Sequence, residues 1–383
     1  MMIFRRTDVT AHLMRNRIYM AFLGIIILLI PNICSAQEIE QEFQTILDST
    51  YQANKEAVGI MIHVESPNKS ISWTSSVGFS NKEMTKKLNK NQPLLIASNT
   101  KTYVSASILK LVENGELKLN QPIKKIINRK TKRLLKKSGY DVNKITVKHL
   151  LSHTSGITDY VNDAYFLFVN ENPNYKWTRA EQIKLAMKMA NPIKAGKKYA
   201  YGDINYLLLT EIIERKIGSP FYTAIRSLLE FKKHNLNNTW FVNLEDKPTN
   251  TLPFAHQYSS KFNTSSSNLD PSWDLYGGGG LASNTKDLAI FFQLLFEGKI
   301  IKDKIILKKM HTYVLPKEKS IYCLGLRNIS FFGEKAYYHG GFWGTDVMYL
   351  PKYNTTISVF TLKREKRKIN AQISNQIIKI LKK

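Results

Sequence analysis

An apolar run that ends in a serine, directly before a helical pattern, is the feature that most constrains this chain. Residues 94–97 are Leu-Leu-Ile-Ala, and Ser98 follows them. Apolar residues then recur at helical spacing from Val104 to Val112, and Gly115 stands where a glycine commonly ends a helix. Ser98 and Lys101 are therefore predicted to share one face at the start of this helix. An amine in that position can activate a serine hydroxyl as a nucleophile.

The Ser-x-x-Lys spacing also occurs at two other places in this lysine-rich chain. Ser107 and Lys110 repeat it inside the same helix, and Ser283 and Lys286 repeat the tetrapeptide Ser-Asn-Thr-Lys. With Asp287 four residues on, Ser283 is predicted to lie in the N-cap region of a further helix that reaches about residue 298. The spacing alone leaves all three serines open as nucleophiles.

The first 36 residues predict a secretory signal. Arg15 and Arg17 precede an apolar run over residues 18–30, and Cys34-Ser35-Ala36 supplies the small residues of a cleavage site. The run falls short of the roughly 20 residues that favour a membrane span. We expect cleavage after Ala36 and a secreted or periplasmic protein. A lipid-anchored start at Cys34 and an uncleaved N-terminal anchor are the alternatives.

The formal net charge is strongly positive, +26 for the whole chain and +23 without residues 1–36. An exported basic protein could be drawn to anionic cell-wall polymers or to a membrane surface. We favour a lysine-rich genome with a solvated surface as the explanation, and residues 118–148, which are crowded with Lys and Arg, are predicted to be such a solvated connection. The predicted compartment and the lack of a recognition motif argue against nucleic-acid binding.

The composition predicts a folded core without disulfides, metal or cofactor. Hydrophobic residues make up 43% and aromatic residues 11% of the chain. Of the two cysteines, Cys34 is expected to leave with the signal, so Cys323 is predicted to be a buried, unpaired core residue. No Cys/His cluster has the spacing of a structural zinc site.

The order of the predicted elements indicates an α+β fold, an α/β sandwich. Strands at both ends of the chain with helices between them predict one sheet that both chain ends build. The predicted strands span residues 57–64, 70–77, 321–326, 335–338, 347–350 and 356–361, with a hairpin turn at 67–68. The predicted helices span residues 38–52, 177–190 and 204–217, and a basic helix starts at 368.

These segments together resemble the serine beta-lactamase-related family, which contains class C beta-lactamases, D-alanyl-D-alanine carboxypeptidases and related esterases. The resemblance runs in order from about residue 50 to 362. Ser98 and Lys101 fit the family's first motif, and residues 149–157 are similar to H-L-L-x-H-T-S-G. Tyr201-Gly202-Asp203 stands where the family has Y-x-N, residues 279–287 resemble G-G-L-x-S-x-x-x-D, and His339-Gly340-Gly341 occupies the place of K-T-G or H-x-G.

The resemblance implies a beta-lactamase/transpeptidase-like architecture. An antiparallel sheet from both chain ends would be flanked by helices, with a mainly helical inserted subdomain. Residues 37–383 would form one hydrolase domain, with its α/β part at about 37–97 and 281–383 and its helical part at about 98–280. The order of the motifs selects Ser98 as the nucleophile. Tyr201 comes before Ser283 in the chain and not after it, and Ser107 lies inside its helix rather than at the start of it.

The resemblance also implies a catalytic role for three side chains. Ser98 would attack a carbonyl and form an acyl-enzyme, with Lys101 helping to deprotonate it. Tyr201 would relay protons between the nucleophile and the leaving group. Asp203 replaces the family's asparagine, and a carboxylate there would hold Lys101 more firmly in its charged form.

The second part of the implied site lies after residue 338. His339 replaces a lysine and would make a contact whose charge depends on pH. Gly340 and Gly341 would let a substrate lie against a bare strand edge. The backbone N–H groups of Ser98 and Phe342 would form the oxyanion hole.

The resemblance implies an exported serine hydrolase that acts on a small substrate. A D-Ala-D-Ala-type peptidase or a hydrolase of small esters or amides comes first, since the changes at Asp203 and His339 count against beta-lactam hydrolysis. A class C-like beta-lactamase and a non-catalytic protein that binds wall fragments or penicillin are the alternatives. The substrate would be a small peptide, ester or beta-lactam, and we expect a monomer.

Overall fold

The computed structural model describes residues 37–315 and 321–382, so the predicted signal and Cys34 lie outside the described residues. Its main feature is a six-stranded antiparallel sheet with the strand order β2-β1-β11-β10-β9-β8. The strands are β1 Gly59–Ser66, β2 Ile71–Gly78, β8 Arg327–Phe331, β9 Glu334–Gly340, β10 Thr345–Leu350 and β11 Thr355–Thr361. Both chain ends therefore build one sheet, as the sequence predicts.

The first hairpin follows directly from its sequence. Pro67 opens a short 3-10 turn over Pro67–Lys69, and Ser70 then takes a left-handed conformation with φ 55°. The strands pair from Ser66 opposite Ile71 to Gly59 opposite Gly78. Seven of the eight residues of β1, the strand next to the edge strand β2, are buried, which fits a strand that is covered on both faces.

Helices cover both faces of the sheet. On one face lie α1, residues 37–52, and α11, Lys368–Leu381, which pack Phe43, Leu47 and Ile373 against the strands. On the other face α9, Thr285–Phe296, lies against β1, β10 and β11. The result is a layered α+β fold in which the predicted basic C-terminal helix is confirmed.

The middle of the chain is mainly helical and packs into the core on the α9 side. Its helices are α2 Thr100–Glu113, α3 Arg129–Lys137, α4 Val147–Leu151, α5 Asp163–Glu171, α6 Arg179–Lys188, α7 Ile204–Ile217, α8 Phe221–Leu228 and α10 Lys304–Met310. Short strands β3 Leu94–Leu95, β4 Trp240–Phe241 and β7 Leu281–Ser283 form a second sheet, and β5 Tyr258–Ser259 pairs with β6 Thr264–Ser265.

The helix ends lie close to the places that the sequence indicates. Gly115 follows α2 with φ 77°, and Gly218 caps α7 in the left-handed region with φ 78°. The N-cap of α9 is Asn284, one residue beyond Ser283, and its side chain accepts a hydrogen bond from the Asp287 N–H. Within the described ranges no helix is long and apolar enough to cross a membrane.

The predicted strand over residues 321–326 is wrong. The Cys323 N–H bonds to the Leu326 carbonyl, so this segment turns back on itself, and the strand β8 starts only at Arg327. Tyr322, Cys323 and Leu324 are all buried. In a run of residues that are all buried, apolar and polar residues do not alternate, so the sequence pattern cannot distinguish a turn from a strand. The predicted burial of Cys323 is confirmed.

Candidate active site

Ser98 lies where the short strand β3 turns into the helix α2. The Ile96 N–H donates to the Leu281 carbonyl, which fixes the end of β3, and Ala97 then takes the left-handed conformation with φ 46°. A single 3-10 turn over Ala97–Asn99 leads into α2 at Thr100. A non-glycine residue with positive φ is costly, and such strain is concentrated at functional sites.

Lys101 brings three segments together around Ser98. Its Nζ lies 2.9 Å from Ser98 Oγ and 2.7 Å from Asp203 Oδ1, and it also donates to the Gly278 carbonyl. The lysine side chain is fully buried. Gly278 has to be a glycine here, because a β-carbon would lie 2.9 Å from Asp203 Cγ.

Tyr201 contacts the same hydroxyl. Its OH lies 3.0 Å from Ser98 Oγ, and Lys101 Nζ lies 5.0 Å from the centre of its ring. Although Tyr201 as a whole is 36% exposed, desolvation of its hydroxyl group raises its pKa, and the charge of Lys101 opposes that rise. The structure thus brings the hydroxyl of Ser98 within hydrogen-bond distance of both a lysine and a tyrosine.

The electrostatics of the site keep Lys101 charged. Burial is the largest single effect and would lower the pKa of the ammonium group, but Asp203 first, and then Tyr201 and Asp274, together outweigh it and raise that pKa above its ordinary value. The asparagine that the family has at this place could not exert this effect. The sequence-based expectation that Asp203 holds Lys101 in its charged form agrees with this shift.

Two further carboxyl groups lie close to Asp203, and sequence reasoning missed both. Burial raises the pKa of Asp159 to about 7, and the charge of Asp203 adds to the rise. Burial and the same neighbour raise the pKa of Asp274 well above its ordinary value. Asp159 precedes the Tyr201 loop by some 40 residues and Asp274 follows it by some 70. Only the tertiary fold brings them together.

The residues after β9 face the Ser98 turn. A β-carbon on Gly341 would lie 2.2 Å from the Ile96 carbonyl oxygen, so only glycine lets the two backbones approach this closely. Gly340 lies beyond the last residue of β9 that pairs with β8, because that pairing ends at Tyr338 opposite Arg327. The guanidinium group of Arg367, which pairs with Asp346, lies where a β-carbon of residue 340 would be. The backbone of Gly340 therefore has no strand partner on the β8 side, and its N–H donates to His339 Nδ1 at 2.9 Å.

A buried pair that the sequence did not indicate joins the two halves of the site. Asn99 Nδ2 donates to the Ile96 carbonyl and to Thr345 Oγ1, at 3.0 and 2.9 Å. Thr345 Oγ1 donates to the same Ile96 carbonyl, and the Thr345 carbonyl accepts the Gly341 N–H. Asn99 and Thr345 are fully buried. They fix the distance between the segment that carries Ser98 and the segment that carries Phe342.

His339 contributes differently from the sequence-based expectation. Its ring is buried, and its Nε2 lies 3.1 Å from the hydroxyl of Tyr322. Burial lowers its pKa well below 6.5, with a smaller effect from the charge of Arg327. The ring therefore stays neutral near neutral pH, whereas the sequence predicted a contact whose charge changes with pH.

The His149–Ile157 segment supports the Tyr201 loop. Gly156 turns the chain in this segment, with φ 75°. Beyond that, His153 Nδ1 accepts the Gly202 N–H at 3.2 Å, and its ring lies 4.3 Å from the ring of Tyr201, centre to centre. His153 and Tyr201 are 48 residues apart in sequence, so no local sequence pattern could reveal this contact.

The other two Ser-x-x-Lys pairs have structural partners. Ser107 Oγ donates to the Tyr103 carbonyl one turn earlier, and Lys110 pairs with Glu113 at 2.6 Å. Ser283 Oγ lies 2.8 Å from Thr239 Oγ1. Within residues 37–315 and 321–382, no group of three His, Cys, Asp or Glu side chains is arranged to hold a metal ion.

Comparison with known proteins places the chain in a family. The sequence model of the Beta-lactamase family matches residues 47–376, so the chain belongs to that family. Its architecture is the beta-lactamase/transpeptidase-like α+β fold. The D-amino acid amidase from Ochrobactrum anthropi SV3 has this fold too, with a TM-score of 0.73 at 19% identity over 90% of this chain and 98% of that one.

Curated relatives have hydrolase and penicillin-binding names. The chain is 26% identical to an N-acetylmuramyl-L-alanine amidase of Bacillus subtilis strain 168, over 70% of this chain and 67% of that protein. It is 25% identical to the teichoic acid D-alanine hydrolase of Staphylococcus aureus strain NCTC 8325 / PS 47, over 76% and 68%. Penicillin-binding protein 4* of Bacillus subtilis is 24% identical over 57% of this chain, which spans only 49% of that relative's length.

The raised pKa of Asp159 predicts a stability change with pH. A carboxyl group with a folded-state pKa of about 7, against 3.8 ordinarily, favours folding while it is protonated, and this contribution is lost as pH rises through about 7. Asp159→Asn cannot ionise, yet it keeps an oxygen for the Ile204 N–H. We expect the variant to melt several degrees above wild type at pH 8 and close to it at pH 4. An equal shift at both pH values would contradict this account.

Proposed function

We propose that the protein is an exported serine hydrolase that forms an acyl-enzyme on Ser98 and cleaves small amides or esters of the D-alanyl type. The observation that carries the proposal is the hydroxyl of Ser98, which has Lys101 Nζ at 2.9 Å and Tyr201 OH at 3.0 Å. This is the arrangement of a serine nucleophile with two adjacent groups that can exchange protons with it. Export rests on the order of charged, apolar and small residues in the first 36 positions.

The site holds three carboxyl groups beside one ammonium group, and a substrate with a positive group would favour the ionised, negatively charged forms of those carboxyls. Asp159, Asp203 and Asp274 lie near the single ammonium of Lys101, and crowding of like charges contributes to the raised pKa values of two of them. A D-alanyl amide or ester with a free α-amino group carries such a charge. The names of the teichoic acid D-alanine hydrolase and the D-amino acid amidase support D-amino acid derivatives as the class to test.

A cationic substrate would also solve the problem of a charged base. In the free protein Asp203 holds Lys101 protonated, and an ammonium cannot accept the proton of Ser98. A substrate ammonium beside Asp203 offsets part of the field of that carboxylate and lowers the pKa of Lys101. Lys101 then releases a proton to solvent and becomes able to act as the base.

The reaction then proceeds in two steps. Ser98 Oγ attacks the carbonyl carbon, its proton passes to Lys101, and the N–H groups of Ser98 and Phe342 bind the oxyanion. Tyr201 gives its proton to the leaving amine or alcohol and takes one from Lys101 as the acyl-enzyme forms. A water molecule attacks the ester, its proton returns to Ser98 through the same groups, and the free acid leaves.

Labelling with a fluorophosphonate tests the nucleophile directly. Intact mass after long incubation should show one adduct on wild-type protein and none on Ser98→Ala, because the hydroxyl of Ser98 contacts both a lysine and a tyrosine and the irreversible probe accumulates on the small fraction of molecules with neutral Lys101. Ser107→Ala and Ser283→Ala are matched controls, since each removes another serine with the same spacing, and both should label like wild type. Equal labelling of Ser98→Ala, or no adduct on folded wild-type protein, would contradict the proposal.

Blocked and unblocked substrates test the predicted substrate class. We expect kcat/KM for D-alanine p-nitroanilide to exceed that for N-acetyl-D-alanine p-nitroanilide by at least about tenfold, the effect of one ~1.4 kcal/mol charge interaction. Asp203→Asn should reduce this ratio. A preference for the acetylated compound or for a D-Ala-D-Ala peptide would indicate a carboxypeptidase-like enzyme, and turnover of nitrocefin alone would indicate a beta-lactamase.

A further inference from the structure

We propose that the exposed face of α3, with its neighbouring lysines, binds a linear polyanion with a phosphate backbone. The proposal starts from the uneven distribution of charge. Residues 118–148 contain eleven Lys and Arg residues and one acid, Asp141, and so carry +10 of the +23 of residues 37–383. A lysine-rich composition alone would spread this charge evenly along the chain. The concentration in 31 residues therefore calls for another explanation.

The fold places much of this charge on one surface. At 3.6 residues per turn, Arg129, Arg133, Lys136 and Lys137 lie on the side of α3 opposite the buried Thr131 and Leu135. Lys130 and Lys132 flank that side. The four outward residues are all exposed, and so are Lys124 and Lys125 before the helix. We call this set of eight residues, 124, 125, 129, 130, 132, 133, 136 and 137, the α3 basic surface.

The charge of the α3 basic surface is not balanced within the described protein. Among the described residues, the ion pair that involves residues 118–148 joins Lys144 to Asp141 at 3.4 Å. This pair lies outside α3. The helix itself contains no acid, and Arg129–Arg133 and Arg133–Lys137 are like-charge neighbours four residues apart. Each such pair costs a few tenths of a kcal/mol. An external anion would relieve this repulsion.

The surface is held rigidly and lies near the site. Glu211 on α7 accepts hydrogen bonds from the Asn128 N–H, the Asn128 side chain and Thr131 Oγ1, which fixes the start of α3. Glu211 is eight residues after Asp203, so this anchor lies about 12 Å along α7 from the site, at 1.5 Å per residue. A cavity of about 170 Å³ beside it is lined by Lys130 and Lys184 together with Glu211, which extends the cationic surface onto α6.

The kind of partner can be inferred from the residues that lie next to the Lys and Arg side chains of the α3 basic surface. A helix that enters a membrane surface presents apolar or aromatic side chains next to its charges. The apolar residues of α3 face the core, and no large hydrophobic residue between 118 and 148 is exposed. A row of cations without apolar neighbours fits a hydrated polymer that carries regularly spaced phosphates. Such binding depends on the release of counterions.

Binding of fluorescent long-chain polyphosphate, measured by anisotropy at several salt concentrations, tests the proposal. The test variant changes Arg129, Arg133, Lys136 and Lys137 to Gln. The control variant changes Lys86, Lys90, Lys368 and Lys379 to Gln, which removes the same charge from exposed lysines elsewhere, two of them on α11 across the sheet. Thermal melting of both variants confirms that they are folded.

The test variant should bind at least about tenfold more weakly than wild type, and the control variant within about twofold of it. The slope of log affinity against log salt should fall in magnitude by about three in the test variant only, at ~0.7 per lost contact. Equal weakening of both variants would mean that net charge alone drives binding. Retained affinity in the test variant would also overturn the proposal, as would wild-type binding to phosphatidylglycerol vesicles but not to polyphosphate.

Discussion

The buried ammonium of Lys101 is the group on which the rest of the site depends. A charge without access to water is costly unless opposite charges and hydrogen-bond acceptors surround it. Here the acceptors are Ser98 Oγ, Asp203 Oδ1 and the Gly278 carbonyl, which come from three separate segments. Satisfying this one group therefore requires the start of α2, the start of α7 and the four consecutive glycines at residues 277–280, before β7, to meet.

The same requirement explains why two glycines and two buried polar residues accompany the site. Gly278 leaves room for Asp203, and Gly341 lets the segment after β9 touch the carbonyl of Ile96. Asn99 and Thr345 then hold these backbones together through hydrogen bonds that no solvent reaches. In the proposed reaction, this contact sets the separation of the two N–H groups that would bind the oxyanion, so precision at Ser98 depends on residues that never meet a substrate.

Local signals allowed much of the fold to be predicted, whereas contacts between distant segments could not be. The glycines after α2 and α7 and the hairpin at Pro67 act within a few residues, and their elements were predicted nearly in place. The turn over residues 321–326 was wrongly predicted to be a strand, because a segment that is buried on all sides has no alternation of apolar and polar residues. Asp159, Asp274 and His153 are 42 or more residues from Asp203 and Tyr201 in sequence, and only the packing of the helical part brings them close.

The central claim is that Asp203 keeps Lys101 protonated in the free protein, and an NMR titration of the Lys101 side chain tests it most directly. The signal would be assigned by its absence in Lys101→Arg, and Asp203→Asn would serve as the comparison. The account predicts that Lys101 in wild-type protein does not titrate below its ordinary pKa of 10.5, and that its pKa falls in Asp203→Asn. A wild-type Lys101 that loses its proton near neutral pH would contradict it.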